Sequence, residues 1–400
     1  MITVQEVKNI IEEVFPQVVE FRRDLHMHPE LSGEEERTSM RIKEEMDKLG
    51  IPWGTNWQRA VFGTLAGGLG ESAGKYKGVA IRADFDALPI LEETGLPYAS
   101  QNPGVMHACG HDVHTAVLLG SAMVLNRLVG RFGGNVKFFF QPSEEKDGGA
   151  DNMIKAGCMT DPPVDAVFGL HINPTLPTGH LQFCPGPMNA ATCTIYIDVE
   201  GIGCHGAHPD TGVDTILVAS HIVTALQAIT ARNLPPTTPG IVTIGSFHSG
   251  TKSNIIPPTA RLEGTLRAMT MDVMDILKQN LVRTVENVAA AFGAKATVTL
   301  QDGCPCLEND PAMTELLMGI GAELFGEDHI RVMPAPSLGG DDFAFFSNYC
   351  DGCYFNLGTS TGNEEHPQFL HNEFLCPDEE SMKAGILMEV ITALKLLGAA

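Results

Sequence analysis

Basic residues are scarce in this 400-residue chain: 26 Lys and Arg stand against 49 Asp and Glu, a formal net charge of -23. A field of that sign repels phosphate backbones and anionic lipid headgroups, so neither nucleic acid nor a membrane surface is an expected partner. Long apolar runs are missing as well: no 18-residue apolar span is expected to cross a bilayer. The opening stretch "MITVQEVKNIIEEVFPQ" reads as an amphipathic acidic helix and lacks the basic region and apolar core of a signal peptide, which makes the cytoplasm the expected location. Internal repeats, low-complexity tracts and long linkers are absent too. The ten cysteines are scattered and are expected to be reduced thiols. Two close pairs stand out, Cys304 with Cys306 in "GCPC" and Cys350 with Cys353 in "CDGC"; a structural zinc knuckle would require them to meet in space.

What is present fits two domains, since 400 residues exceed the usual size of one. The first 180 or so residues alternate helical and strand patterns, which suggests βα units on a mainly parallel sheet with helices on both faces. "LSGEEERTSMRIKEEMDKLG" reads as one surface helix, opened by a capping box of Ser32 and Glu35 and closed at Gly50. Strands are expected at "YKGVAIRADFDALP", "GNVKFFFQPSEE" and "VDAVFGLHINP", each ending in or near ionisable residues. Ligands of open α/β sheets gather beyond the carboxyl ends of the strands, where Asp84, Asp86, Glu144, Glu145 and His171 fall. From about residue 188 the pattern changes to β-α-β-β-α-β, the ferredoxin-like order. Near residue 301 the chain returns to the first domain and closes with a helix begun by Asp378. The expected class is α/β: one discontinuous domain over residues 1–187 and 301–400, with an inserted α+β ferredoxin-like domain over 188–300.

The densest chemistry lies in "MHACGHDVHT", residues 106–115. Helical periodicity begins only after Gly110, so Cys109 and His111 sit at a helix entrance, where a thiolate and an imidazole can both face one ion and favour zinc or a similar metal. With Glu145, His171 and His371 of "FLHNEF" they make five donors of N, O and S type, more than one catalytic zinc with an open position needs. Two metals sharing a bridging ligand would use them all. Adjacent Glu144 and Glu145 suit a division of labour, one binding metal and the other moving protons, and spacing leaves open which does which. His26 and His28 read as cap or buried hydrogen-bonding residues, and His107 and His114 as supporting or packing groups. His205, taken on its residues alone, is a surface histidine in a Gly-rich loop.

The motifs "RRDLHMHPELSGEE", "RADFDALP", "MHACGHDVHTA", "QPSEEKDGGADNMI", "GLHINP", "CHGAHPDTGVD" and "LHNEF" run in order from residue 22 to 374 and resemble the metallopeptidase-related amidohydrolase family. That family includes hippurate hydrolases, N-acetyl amino acid deacylases and auxin-conjugate hydrolases. The resemblance implies that Cys109 bridges two divalent ions (zinc, manganese, cobalt or nickel), with His111, Glu145, His171 and His371 as the other ligands. It further implies Glu144 as general base, Asp86 as a supporting acid that orients ligands, and Asp84 as its companion. His205 matches a lid histidine that, in dimeric members, reaches into the partner subunit's site to stabilise the oxyanion. Asn254 and Arg267 match positions that contact the substrate carboxylate. Residues 188–300 become a lid and dimerisation domain, and a homodimer is expected. The implied activity is hydrolysis of N-acyl amino acids or related small conjugates, as in aminoacylases. The same scaffold would serve a dipeptidase or carboxypeptidase. A non-catalytic metal- or peptide-binding protein is the competing class, opposed by intact Glu144 and all five donors. Val113, Cys204, Asp210 and Asp341 depart from the family pattern and bear on specificity more than on chemistry.

Overall fold

The chain divides into two units: Met1–Gly186, Glu308–Ala335 and Asp342–Ala400 form the first, and Pro187–Leu307 with Pro336–Asp341 the second. The computed structural model describes every residue except Asn56, Asp147 and Glu364; Asp147, within the motif "QPSEEKDGGADNMI", therefore lies outside the described residues. The division falls at residues 186/187 and 307/308, and it moves Pro336–Asp341 into the second unit. Two backbone bonds tie that segment there, Ser337 N–H to Met188 O at 2.8 Å and Ala190 N–H to Gly339 O at 2.9 Å.

Along the chain the longer helices are α1 (Val4–Met27), α2 (Glu36–Leu49), α3 (His111–Arg127), α4 (Thr215–Ala228), α5 (Met271–Ala291), α6 (Pro311–Phe325) and α7 (Ser381–Leu396). The strands that build the two main sheets are β1 (Trp53–Gly54), β2 (Val61–Ala66), β3 (Gly78–Asp84), β4 (Asn135–Gln141), β5 (Ala166–Pro177) and β6 (Leu181–Phe183). They continue with β7 (Ala191–Glu200), β8 (Gly240–Ser249), β9 (Thr259–Ala268), β10 (Lys295–Asp302), β11 (Ile330–Val332) and β12 (Asp351–Ser360).

The sheet of the first unit runs β1-β2-β4-β3-β5-β12-β6-β11. Its centre, β4-β3-β5-β12, is parallel, while β1 with β2, β2 with β4 and β12 with β6 pair antiparallel. The sheet is therefore mixed; β11 also runs parallel to β6 at the edge, and the strands that matter for the site lie in the parallel centre. Every residue of β3 is buried, as expected of a central strand covered on both faces. Helix α3 is buried all round from His111 to Leu125, which explains its apolar sequence without a polar face.

Two helix starts differ from expectation. Helix α2 begins at Glu36 and its N-cap, Glu35, makes no side-chain cap bond, so the capping box of Ser32 and Glu35 does not form. Both side chains are drawn elsewhere: Ser32 Oγ donates to Asp86 Oδ2 at 2.7 Å and Glu35 accepts from Ser143. The C-terminal expectation holds, with Gly50 in the left-handed conformation at φ 65°. Helix α7 starts at Ser381, three residues beyond Asp378, because Asp378 caps a preceding turn through Glu380 N–H.

The second unit carries an antiparallel sheet in the order β8-β9-β7-β10, and its chain order β7-α4-β8-β9-α5-β10 is ferredoxin-like. Alternate residues of β7 (Cys193, Ile195, Ile197, Val199) join the buried core with Val218, Ile222 and Leu226 of α4 and Leu277, Leu281 and Val285 of α5. One stretch corrects a reading of the sequence: Thr215–Asn233 is long and apolar enough, by length and composition, to cross a membrane. Here its apolar residues Val218, Ala219, Ile222 and Leu226 pack into the core of this unit. Burial pushes the thiols of Cys350 and Cys353 up to about 12, and among the described residues neither close cysteine pair joins a donor cluster.

Candidate functional site

Parallel strands end on one edge of a sheet, and that edge collects the ionisable side chains. Asp84 at the end of β3 lies in register with Gln141 at the end of β4, and His171 on β5 lies in register with Asn356 on β12. Asp86 follows β3 by two residues, Glu144 and Glu145 follow β4, and His371 sits in the loop after β12. His111 opens α3 after Gly110, whose φ is +83° and whose missing Cβ would stand 2.2 Å from Ile172 Cδ1, so only glycine fits that turn.

The five donors come together within the first unit. Cys109 Sγ lies 3.4 Å from His171 Nε2, and Glu145 Oε1 lies 3.3 Å from His371 Nε2 and 3.9 Å from His111 Nε2. Cys109, His111 and His171 form one set with ligand atoms within 4.8 Å of one another, and Cys109, Glu145 and His371 form another. Cys109 is common to both. A further set joins His111 with Glu144 and Glu145. His111 Nε2 and Glu145 Oε1 are buried without a hydrogen-bond partner, which is costly in a protein interior unless a cation faces them. Burial pushes the Cys109 thiol well above its ordinary pKa, so a thiolate there requires a positive charge alongside. These observations fit a metal site.

Hydrogen bonds orient the imidazoles. His111 Nδ1 faces Asp86 Oδ1 at 3.2 Å and His171 Nδ1 faces the Ile172 carbonyl at 2.8 Å, which places both protons on Nδ1 and the lone pairs on Nε2. His371 has a side chain about half exposed (53%) and a left-handed backbone at φ 59°; its N–H donates to Ala108 O at 2.7 Å, tying it to the residue before Cys109. Asp84, His111 and His114 also lie close enough to hold an ion. His114 is nevertheless engaged at both nitrogens, with Asp84 Oδ1 at 2.6 Å from Nδ1 and Ile172 N–H donating to Nε2 at 2.9 Å. It therefore steadies the backbone beside His171.

Asp86 gathers three donors: Ser32 Oγ and Glu145 N–H (3.0 Å) on Oδ2 and His111 Nδ1 on Oδ1. Burial alone would raise its carboxyl, but the His111 contact and the Ser32 hydroxyl lower it. Burial likewise opposes ionisation of Asp84, yet Arg82, His111 and His114 hold it well below the usual carboxylate range. Arg82 is fully buried and donates to Asp84 Oδ2 at 2.6 Å, Gln141 Oε1 at 2.8 Å and Asp342 Oδ1 at 2.8 Å. Asp342 also accepts from Gln141 Nε2 and Ala150 N–H, and its own N–H donates to Glu144 Oε1 at 3.3 Å. Arg82, Gln141, Asp342 and Glu35 were missed from sequence. Two ionisable residues at alternate positions of an otherwise apolar strand, Arg82 and Asp84, were the available signal.

Of the remaining histidines near the site, His26 bonds Asp112 and Glu92 in the interior and His28 Nδ1 faces Asp24 O at 2.8 Å, both as read from sequence. His107 is buried with no hydrogen-bond partner on either nitrogen, and burial pushes its pKa down to about 4, so it acts as a packing group.

His205, Asn254 and Arg267 all belong to the second unit. His205 pairs with Ile255 in a short two-stranded ribbon, and Gly206 N–H donates to Asn254 O at 2.9 Å, so His205 and Asn254 are brought together. The His205 side chain is exposed, and its Nδ1 accepts from Ala207 N–H at 3.0 Å. Arg267 stands on β9 opposite Thr192. Gly340 lies against the same corner: a Cβ there would come within 2.7 Å of Thr192 Cγ2 and 2.8 Å of Cys304 Sγ. Of the departures from the family pattern, Val113 is buried in the first turn of α3, Cys204 is half-buried and Asp210 is exposed.

The profile described as Peptidase family M20/M25/M40 matches residues 80–394 of the chain. The chain is 40% identical over 360 residues to the N-acetyl-L-cysteine deacetylase of Bacillus subtilis (strain 168), covering 89% of this chain and 84% of that relative. It is 37% identical over 397 residues to thermostable carboxypeptidase 1 of Saccharolobus solfataricus, covering 98% of each. Among solved structures, the Bacillus subtilis YXEP protein, described as a dinuclear metal binding peptidase, matches with a TM-score of 0.82 at 30% identity, over 97% of this chain and all of that one.

Proposed function

Because the chain belongs to peptidase family M20/M25/M40, we propose that it is a two-metal amidohydrolase removing the acyl group from N-acyl amino acids or related small conjugates. The observation that carries this reading is Cys109 standing in two donor sets at once, next to a buried His111 nitrogen and Glu145 oxygen that lack hydrogen-bond partners. The ligands in this reading are Cys109, His111, Glu145, His171 and His371. The mixed N, O and S set suits zinc, manganese, cobalt or nickel. When bound, divalent ions supply Lewis acidity, polarising the scissile carbonyl and lowering the pKa of water from about 15.7 towards 7.

The chain's own residues do the rest. Glu144, steadied by the Asp342 N–H at 3.3 Å, accepts the proton of the attacking water and returns it to the departing amine. Asp86 and Asp84 keep His111 and its neighbours oriented. His205 accepts from Ala207 N–H at Nδ1, which puts its proton on Nε2 as a donor for a developing oxyanion. In this reading it serves the site of a second copy, making the enzyme a homodimer through the second unit. Arg267 and Asn254 bind the substrate carboxylate. The acidic surface is consistent with a cytoplasmic enzyme without nucleic acid or membrane partners.

Similarity to a thermostable carboxypeptidase supports a second reading, cleavage of a peptide's C-terminal residue at the same site. Hydrolysis of N-acetyl and N-benzoyl amino acids compared with blocked dipeptides, using protein loaded with zinc, manganese or cobalt, decides between them. Faster cleavage of dipeptides would sink the acyl-amino-acid reading. Glu144→Gln should keep its metal and lose on the order of 10²–10⁴ in kcat, whereas Glu145→Gln should lose metal affinity. Full metal content and near-normal turnover in both would refute these roles.

A further inference from the structure

The loop carrying the paired glutamates starts from an unfavourable backbone. Ser143 adopts φ +58°, a left-handed conformation that crowds the Cβ of an L residue. Such a conformation persists only where the surroundings over-determine it. Here three hydrogen bonds do so: Glu35 Oε1 accepts both Ser143 N–H at 2.8 Å and Ser143 Oγ at 3.0 Å, and the Ser143 carbonyl accepts from Gly149 N–H at 3.2 Å.

Glu35 is placed at some cost. It is 0% exposed, and its second oxygen, Oε2, is buried without a hydrogen-bond partner. It stands at the N-cap of α2 yet makes no cap bond, so the helix start forgoes a stabilising contact while the carboxyl turns to Ser143. Burial, together with the charge of Asp86, pushes its pKa up. Nearby, Ser32 reaches the other end of the same loop, bonding the Asp86 oxygen that also accepts Glu145 N–H. Residues 32–35 thus hold the loop at Ser143 directly and at Glu145 through Asp86, with Glu144 between the two anchors.

We propose that Glu35 is a positioning residue for the paired carboxylates. A left-handed residue just before Glu144 turns the chain as it leaves β4 and so sets the direction from which both glutamates project. Glu35 pins the turn, and through it sets where Glu144 and Glu145 point. This rests on the roles given above to Glu144 and Glu145.

The test uses the full chain with Glu35→Ala and Glu35→Gln. The readouts are kcat and KM on an N-acetyl amino acid, zinc affinity against a chromophoric chelator, and thermal unfolding of metal-free protein. Glu35→Ala should lower kcat and zinc affinity by roughly 10–100-fold each, the usual effect of removing a support behind metal ligands, with KM within about threefold. Glu35→Gln should restore both, because its amide oxygen accepts the two Ser143 bonds and its NH₂ takes the place of the unpartnered oxygen. Should Glu35→Ala fail to fold, Ser143→Thr and Ser143→Gly decide. The β-branched Thr resists the left-handed backbone and should show the same losses, while Gly, free to adopt it, should stay within about threefold of wild type.

Wild-type kcat and zinc affinity in Glu35→Ala overturn the inference whatever its melting temperature, as does a Glu35→Gln as impaired as Glu35→Ala. If Glu144→Gln kept full turnover, the functional reading would fail while the zinc arm still decided Glu35. If Glu144→Gln were inactive and Glu35→Ala normal in every readout, only the positioning role would fall.

Discussion

Asp86→Asn should disable metal binding at His111 with little change of shape. In the native protein Asp86 Oδ2 accepts from Ser32 Oγ at 2.7 Å and Glu145 N–H at 3.0 Å, while Oδ1 faces His111 Nδ1 at 3.2 Å. Asparagine turns one oxygen into an NH₂ donor. Placed at Oδ2, that group would face a backbone N–H unable to rotate away, so the amide oxygen takes the Oδ2 position and the NH₂ points at His111. The His111 Nδ1 must then accept, and its proton moves to Nε2, the atom 3.9 Å from Glu145 Oε1. A ligand nitrogen that carries a proton has no lone pair to give. Losing a hydrogen bond to a charged acceptor costs roughly 1.5–3 kcal/mol, and about 1.4 kcal/mol is a factor of ten, so metal affinity should fall roughly 10–100-fold. Competition of the metal-free variant with a chelator for zinc gives the affinity, and nitrogen-15 NMR of labelled histidine gives the tautomer. Wild-type zinc affinity, or weakened binding with the proton still on Nδ1, would refute this chain of reasoning.

Arg267→Ala should weaken kcat/KM for substrates with a free carboxylate by a few kcal/mol at most and leave amidated analogues nearly untouched; equal losses for both would make Arg267 a structural residue of its sheet. Glu389, buried in α7 against Ser121 Oγ at 2.6 Å, has its pKa pushed by burial from 4.5 up to about 8. A folded-state value above the unfolded one means that its stabilising contribution is full below about pH 4.5 and is lost as pH rises through about 8. Glu389→Gln should therefore match wild type near pH 4 and exceed it at pH 8 by up to about 5 kcal/mol, read from denaturant unfolding of metal-free protein. Parallel stability-against-pH curves for the two proteins would sink that reading.

The parts of the site written in short local patterns were legible in the sequence. Strand ends bearing Asp84, Asp86, Glu144, Glu145 and His171 follow from parallel β-α alternation, and the helix entrance at Cys109 and His111 follows from where apolar periodicity begins. The supports were not legible, because they depend on which loops meet. Ser32 and Glu35 have the spacing of a capping box, and local propensity favours that use. Tertiary contacts with Asp86 and Ser143 prevailed, since a buried carboxylate and a left-handed turn gain more from the Ser32 donor and the Glu35 acceptor than a surface helix gains from one cap. Asp342 was invisible for the same reason: it reaches Arg82 and Gln141 across more than two hundred positions of sequence. The parallel centre of the sheet was expected and the antiparallel pairings of β1 with β2, β2 with β4 and β6 with β12 were not, since short strands such as β1 and β6 carry almost no periodic signal.

The acidic composition and the donor chemistry pose one problem together. A chain of net charge -23 should repel an anionic N-acyl amino acid, and Glu144 and Glu145 add anionic character at the candidate site. Arg82 does not offset this, because its fully buried guanidinium is committed to Asp84, Gln141 and Asp342. On the two-metal reading, four positive charges meet the thiolate and the ligating carboxylate, and the local field changes sign only once the ions are in place. A focused positive potential inside a negative surface selects small anions that can enter over larger polyanions that cannot. On that reading the order follows from electrostatics, metal first and substrate second, because the attraction an anionic substrate meets is one the ions create.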